Sequence, residues 1–73
     1  MFILFIARGG TEMPILEVHM MEGRTPEMKE NLIAALTDAV CTTLGAKPEA
    51  VRVILDEMKP ENFGKAGKPF NKQ

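Results

Sequence analysis

The residues best suited to chemistry in this chain are one proline and two arginines. Pro14 follows Met13 in the stretch TEMPILEVHMMEGR, and the pair admits two readings. Inside a longer chain, Pro14 is strand punctuation, because proline can open a strand but cannot donate to its ladder. As the first residue of a chain started at Met13, its nitrogen would instead be a secondary amine. A free α-amine titrates near ~7.7–8.0, so it could take up and hand on protons at neutral pH. An internal proline nitrogen cannot, since its lone pair is delocalised into the amide. Arg24 and Arg52 carry permanent charge and can grip a carboxylate through two parallel hydrogen bonds. Taken singly, each arginine reads as a surface or interface ion-pair residue. Arg52 is the less ordinary of the two, because it interrupts the apolar run AVRVILDEM.

Other reactive side chains are poorly placed for catalysis. His19 has no carboxylate at a telling spacing and reads as structural, at a subunit contact. Cys41 falls on the outer side of a helical stretch as an incidental thiol. It is the one cysteine, so no intramolecular disulfide can form, and no Cys/His cluster has metal-ligand spacing. The sequence therefore calls for neither a metal nor a cofactor. The six methionines are adaptable core and interface filler. Glu27, Glu30, Glu49, Asp56 and Glu57 read as solvated or ion-paired.

Nine basic against ten acidic residues give a net charge of −1, and Trp and Tyr are absent. That composition lacks both the basic face and the stacking surfaces of a nucleic-acid binder. The apolar run from Met1 to Ala7 is far too short to cross a membrane. It also lacks the basic flank and the small-residue cleavage site of a secretion signal. The expected setting is cytoplasmic, with no membrane partner.

Two readings of residues 1–13 remain. MFILFIA can be an extra edge strand or a tail. Alternatively, the segment is a non-native extension from a mis-assigned start. Arg8-Gly9-Gly10 can be encoded by codons that spell AGGAGGT, a bacterial ribosome-binding signal, at suitable spacing before the Met13 codon. We take Met13 as the natural start and residues 14–73 as the functional domain.

The elements that must position Pro14 and the arginines follow from periodicity. PILEVHMM alternates, with Leu16, Val18 and Met20 on one face and Ile15, Glu17, His19 and Met21 on the other. Thr25-Pro26-Glu27 is a helix start, with an N-cap, a first-turn proline and an acid at the positive helix end. Apolar residues then recur at helical spacing to Leu44, with Met28, Leu32, Ala35, Leu36, Ala39, Val40 and Thr43 forming the expected stripe. Gly45 is placed to release the last turn. A second strand alternates Val51, Val53 and Leu55 against Arg52, Ile54 and Asp56. A strand, helix and strand with tight connections make a βαβ unit of α/β class with parallel strands. The tail KPENFGKAGKPFNKQ reads as a turn at Lys59–Asn62 and a short hairpin with little core of its own. A domain this small, without disulfide or metal, depends on self-association, so oligomerisation is expected to complete its sheets.

From Met13 onward the chain resembles the 4-oxalocrotonate tautomerase family. The residues that carry the likeness are MPILEVHMMEGR, AVRVILDEM and NFGKAGK, and it extends from Pro14 to about Gly67. The resemblance implies a catalytic N-terminal Pro14 acting as general base. Arg24 and Arg52 would be the substrate-binding and electrophilic cations, and Phe63 an apolar wall of the site. It further implies a site shared between subunits and a homohexamer, with a dimer as the alternative. Lys65 and Ala66 depart from the family pattern, at positions where an apolar residue and a glycine are common.

The implied activity is cofactor-independent keto–enol tautomerisation of a 2-hydroxydienoate or related 2-oxo acid, as in aromatic compound degradation. Such a reaction needs a base of near-neutral pKa, a cation for the developing enolate and an anchor for carboxylate. Pro14, Arg52 and Arg24 supply those types. Two alternatives stand beside it. One is a hydratase or dehalogenase of the same superfamily, against which Lys65 argues because water activation calls for a carboxylate. The other is a catalytically silent oligomeric binding protein, which follows if residues 1–13 stay attached.

Overall fold

The computed structural model describes residues 2–8 and 13–72, with side chains from Pro14 onward. Gly9, Gly10, Thr11 and Glu12, which carry part of the start-site reading, lie outside the described residues.

Among the described residues, five strands and one long helix run in the order β1 (Phe2–Arg8), β2 (Met13–Met21), α1 (Pro26–Leu44), β3 (Arg52–Met58), β4 (Gly64–Lys65) and β5 (Lys68–Pro69). The βαβ unit is β2–α1–β3, with parallel strands in the register Ile15↔Arg52 through Met21↔Met58. β1 adds an antiparallel third strand on the far side of β2, so the sheet order is β1-β2-β3. The apolar segment FILFIAR thus forms the extra edge strand. Its residues suit a pleated strand, and an open β2 edge offers it a full set of backbone partners.

Local chemistry fixes the helix ends. Thr25 accepts a hydrogen bond from the Met28 amide at 3.1 Å, and Pro26 occupies the first turn. Gly45 takes a left-handed conformation, φ 73°, and its amide donates to the Cys41 carbonyl. Lys29 on the first turns of α1 pairs with Glu57 on β3 at 2.9 Å.

The core is thin. Leu16, Val18, Met20, Val40 and Val51 are its buried hydrophobic residues among those described, flanked by Leu36, Cys41, Ala46 and Val53. The sheet phases agree with the alternation read from sequence. The helix is rotated relative to the expected stripe, however: Leu36, Val40 and Cys41 face the sheet, whereas Met28, Ala35, Ala39 and Thr43 are exposed. Cys41 is therefore a half-buried packing residue and not an outward thiol. Residues of similar apolarity on both flanks of the helix left its roll undetermined by pattern alone.

A single copy is extended, measuring 42 × 27 × 15 Å with a radius of gyration of 14.5 Å. A compact chain of this length would have a radius near 11 Å. Its surface of 5445 Å² also exceeds the roughly 4500 Å² expected for a folded monomer of 8.1 kDa. The sheet face opposite α1 carries Arg52, Ile54 and Asp56 exposed to solvent, with Ile54 47% accessible. Among the described residues, no helix is long and apolar enough to cross a membrane.

Candidate functional site

Pro14 opens the described side chains of β2 and is buried, in phase with Leu16 and Val18 toward α1. It lies opposite Ala7 of β1. Arg52 begins β3 and sits across from Ile15, one residue from Pro14, because parallel pairing sets both strand starts at one end of the sheet. Its side chain belongs to the opposite, exposed face. Arg52 donates from Nη1 to the Glu49 carbonyl oxygen of the preceding 3-10 turn, which holds the guanidinium at this end of the sheet.

Arg24 is at the other end. It follows the last residue of β2 and donates from Nη1 to the Met21 carbonyl at 3.2 Å. Met21 is paired with Met58, the last residue of β3, and the Glu22 amide donates to the Met58 carbonyl at 3.0 Å. From Arg52 to Met58 β3 rises six residues, about 20 Å at ~3.3 Å each. The structure therefore sets Pro14 and Arg52 at one end of the sheet but on opposite faces, as their strand phases imply, and holds Arg24 a full strand length away.

Phe63 belongs to the Arg24 end of the sheet by chain connection, five residues past Met58. Its ring meets Phe70 edge-on, with centroids 5.7 Å apart and planes at 60°. The Phe70 amide donates to the Phe63 carbonyl at 2.8 Å, which closes the base of the β4–β5 hairpin. Phe63 remains 39% and Phe70 44% exposed, so this aromatic pair presents an apolar surface that the single chain leaves uncovered. Phe70 was not legible as a partner, because its pairing depends on the hairpin turn between them.

Among the described residues, neither arginine is ion-paired. Each spends one of five N–H donors on a carbonyl oxygen, and the side chains are exposed. His19 differs from its reading as a residue without a carboxylate. Register sets it directly opposite Asp56, with Nδ1 3.1 Å from the carboxylate, while Glu17 lies 3.9 Å from Nε2. Only strand pairing reveals that contact, since His19 and Asp56 are far apart in sequence. An open concavity between α1 and β3, bordered by Glu27, Glu30, Ile33, Leu55 and Glu57, contains none of Pro14, Arg24, Arg52 or Phe63. The candidate site is therefore taken at the sheet ends that carry the arginines.

A parallel βαβ unit with a proline at one strand start and exposed arginines at both sheet ends defines a small α/β domain. Residues 14–73 match the family model for the tautomerase enzymes. A probable tautomerase of Staphylococcus aureus (strain Mu50) is 47% identical over 55 residues, which cover 75% of this chain and 90% of that protein. Among solved structures, TomN, a 4-oxalocrotonate tautomerase homologue of the tomaymycin biosynthetic pathway, superposes with a TM-score of 0.77. It is 41% identical, over 81% of this chain and 91% of TomN. A fused 4-oxalocrotonate tautomerase that forms a symmetric trimer has a TM-score of 0.78 and 28% identity, over 90% of this chain and 57% of its own. The chain belongs to the tautomerase family, a family of isomerase-type enzymes.

Proposed function

We propose that this chain, begun at Met13 and trimmed to Pro14, is a cofactor-independent keto–enol tautomerase of small anionic 2-hydroxydienoates or related 2-oxo acids. The observation that carries this reading is that the family match begins at Pro14 and leaves residues 1–13 outside. In that form the Pro14 nitrogen is a secondary amine at the strand terminus, free of either sheet face. A cation such as Arg52 at the adjacent strand start disfavours the ammonium form and so favours the neutral, basic amine.

The reaction balances within one substrate. Pro14 takes the proton of the enol hydroxyl and becomes a secondary ammonium. The electron pair shifts through the conjugated chain, and the same ammonium returns a proton to carbon, giving the keto isomer. Arg52 stabilises negative charge on the 2-oxygen as it develops. Arg24 of another copy binds the substrate carboxylate, because Arg24 of the same copy is a strand length from Pro14. Phe63, which lies at the Arg24 end, comes with Arg24 from the other copy and excludes water, which strengthens both charge interactions.

The assembly we propose is a homohexamer. In the fused trimer, one domain like this one fills 57% of the chain, so each of its three chains has room for about two such domains. Six separate copies of the present chain would reproduce that arrangement.

The test is one assay on two mass-verified forms, an intact chain from Met1 and a chain from Met13 whose methionine has been removed. The short form should isomerise a dicarboxylate dienol at a rate that rises with pH as the amine deprotonates. The long form, with Pro14 nitrogen in an amide, should be inactive. Equal activity from both would end the Pro14 mechanism.

A further inference from the structure

β2 has two hydrogen-bonding edges. β3 fills one, and β1 fills the other over seven residues, from Phe2↔His19 to Arg8↔Met13. β1 lies outside the tautomerase match, whereas β2 lies within it from Pro14 on. Without β1, the edge would present a row of unpaired N–H and C=O groups beside a face whose Pro14, Leu16, Val18 and Met20 are buried. An edge of that length and apolarity recruits another strand.

We propose that β1 is an in-chain occupant of an association edge, holding the place that β2 of a second copy takes when residues 2–8 are displaced or absent. The edge already accepts a strand in the antiparallel sense, which is the sense a two-fold axis requires. β2 is also complementary to itself. Antiparallel pairing about Val18 sets Glu17 opposite His19 twice, Leu16 opposite Met20 and Ile15 opposite Met21. Pairing about Glu17 would oppose like charges. The Val18 register also keeps both helices on one face of a continuous four-stranded sheet, with buried residues facing buried residues.

Competition for the edge favours β1 in the intact chain. A strand tethered by the short connection between Arg8 and Met13 acts at an effective concentration of order mM, well above a second copy at micromolar concentration. Residues 2–8 therefore hold the edge closed, separately from their effect on the Pro14 nitrogen.

The test uses the full chain with Leu4→Pro and Phe5→Pro together. Adjacent prolines remove the β1 donor whichever of the two residues faces β2. Light scattering at micromolar concentration should give this variant at least twice the mass of the intact chain, the β2–β2 contact being one of those a hexamer would use. A chain begun at Met13, a length close to that of the S. aureus relative, should behave as the variant does. Adding Glu17→Lys to either should weaken self-association about tenfold, since it opposes Lys to His19 at two places. Equal masses for the intact chain and the Met13 form would overturn the proposal, as would association indifferent to Glu17→Lys. Pro14 remains in an amide in the proline variant, so doubled mass without activity separates this inference from the proposed chemistry.

Discussion

Two inactive arginine variants should restore one another when mixed. The basis is the length of β3. Arg52 is held at the start of that strand through Glu49, and Arg24 is held at the opposite end through Met21, which pairs with Met58. Six residues of rise separate the ends by about 20 Å, and a small dienoic acid is far shorter than that. A site that uses both arginines must take them from different copies. Arg24→Ala and Arg52→Ala, each in the form begun at Met13, should lose about 2–4 kcal/mol of transition-state stabilisation, or roughly 30- to 1000-fold in kcat/KM. When the two chains are co-expressed in equal amounts and assemble at random, about one quarter of the sites receive both native arginines. The mixture should then recover about a quarter of the wild-type rate, well above either parent. The assay is initial rate on a dicarboxylate dienol, with chain ratio checked by mass spectrometry. A mixture no more active than the mean of its parents would refute a site shared between copies.

Two further predictions concern stability. Val18 is fully buried on the sheet face that Leu16 shares, so Val18→Ala should cost about 2 kcal/mol in urea unfolding of the full chain, from lost transfer energy and the cavity left behind; an unchanged midpoint would mean that this face is not packed in solution. Ala66 and Gly67 both take positive φ, 55° and 81°, as a two-residue hairpin turn of the mirror-image type demands. Ala66→Asn should stabilise the hairpin by about 1 kcal/mol, seen as slower amide exchange at Phe70, because Asn tolerates the left-handed region better than Ala.

Much of the fold was legible because its signals are local. The alternation of Leu16, Val18 and Met20, the Thr25-Pro26 start and the Gly45 stop each depend on residues within a few positions, and each appears where the sequence places it. The short hairpin in the tail was legible in outline, and its turn at Ala66-Gly67 emerges only with the structure. The roll of α1 was not, since Cys41 and Ala39 are both small and nearly equal in apolarity. The His19–Asp56 contact was equally hidden, because it exists only once β2 and β3 adopt one register among several. Pro14, Arg24, Arg52 and Phe63 are candidates through family resemblance alone; their separation across the sheet emerges only with strand pairing.

The incompleteness of the single chain has one physical source in its core and its site alike. A sheet covered by one helix on one face leaves Ile54 exposed on the other and the Phe63–Phe70 pair uncovered at the hairpin. The same geometry strands Arg24 and Arg52 at opposite ends, where neither meets a carboxylate of the described chain. Apolar surface and unpaired cations are both costs that a neighbouring copy can offset, the first by burial and the second by helping to build an anion site. A longer chain could have folded a second βαβ unit against the first, as the fused relative's length allows. This chain has one unit, so the surfaces that would complete its core are the surfaces that would complete its chemistry. In our proposal residues 2–8 occupy one of them, and for that reason the N-terminal segment would bear on assembly and catalysis together.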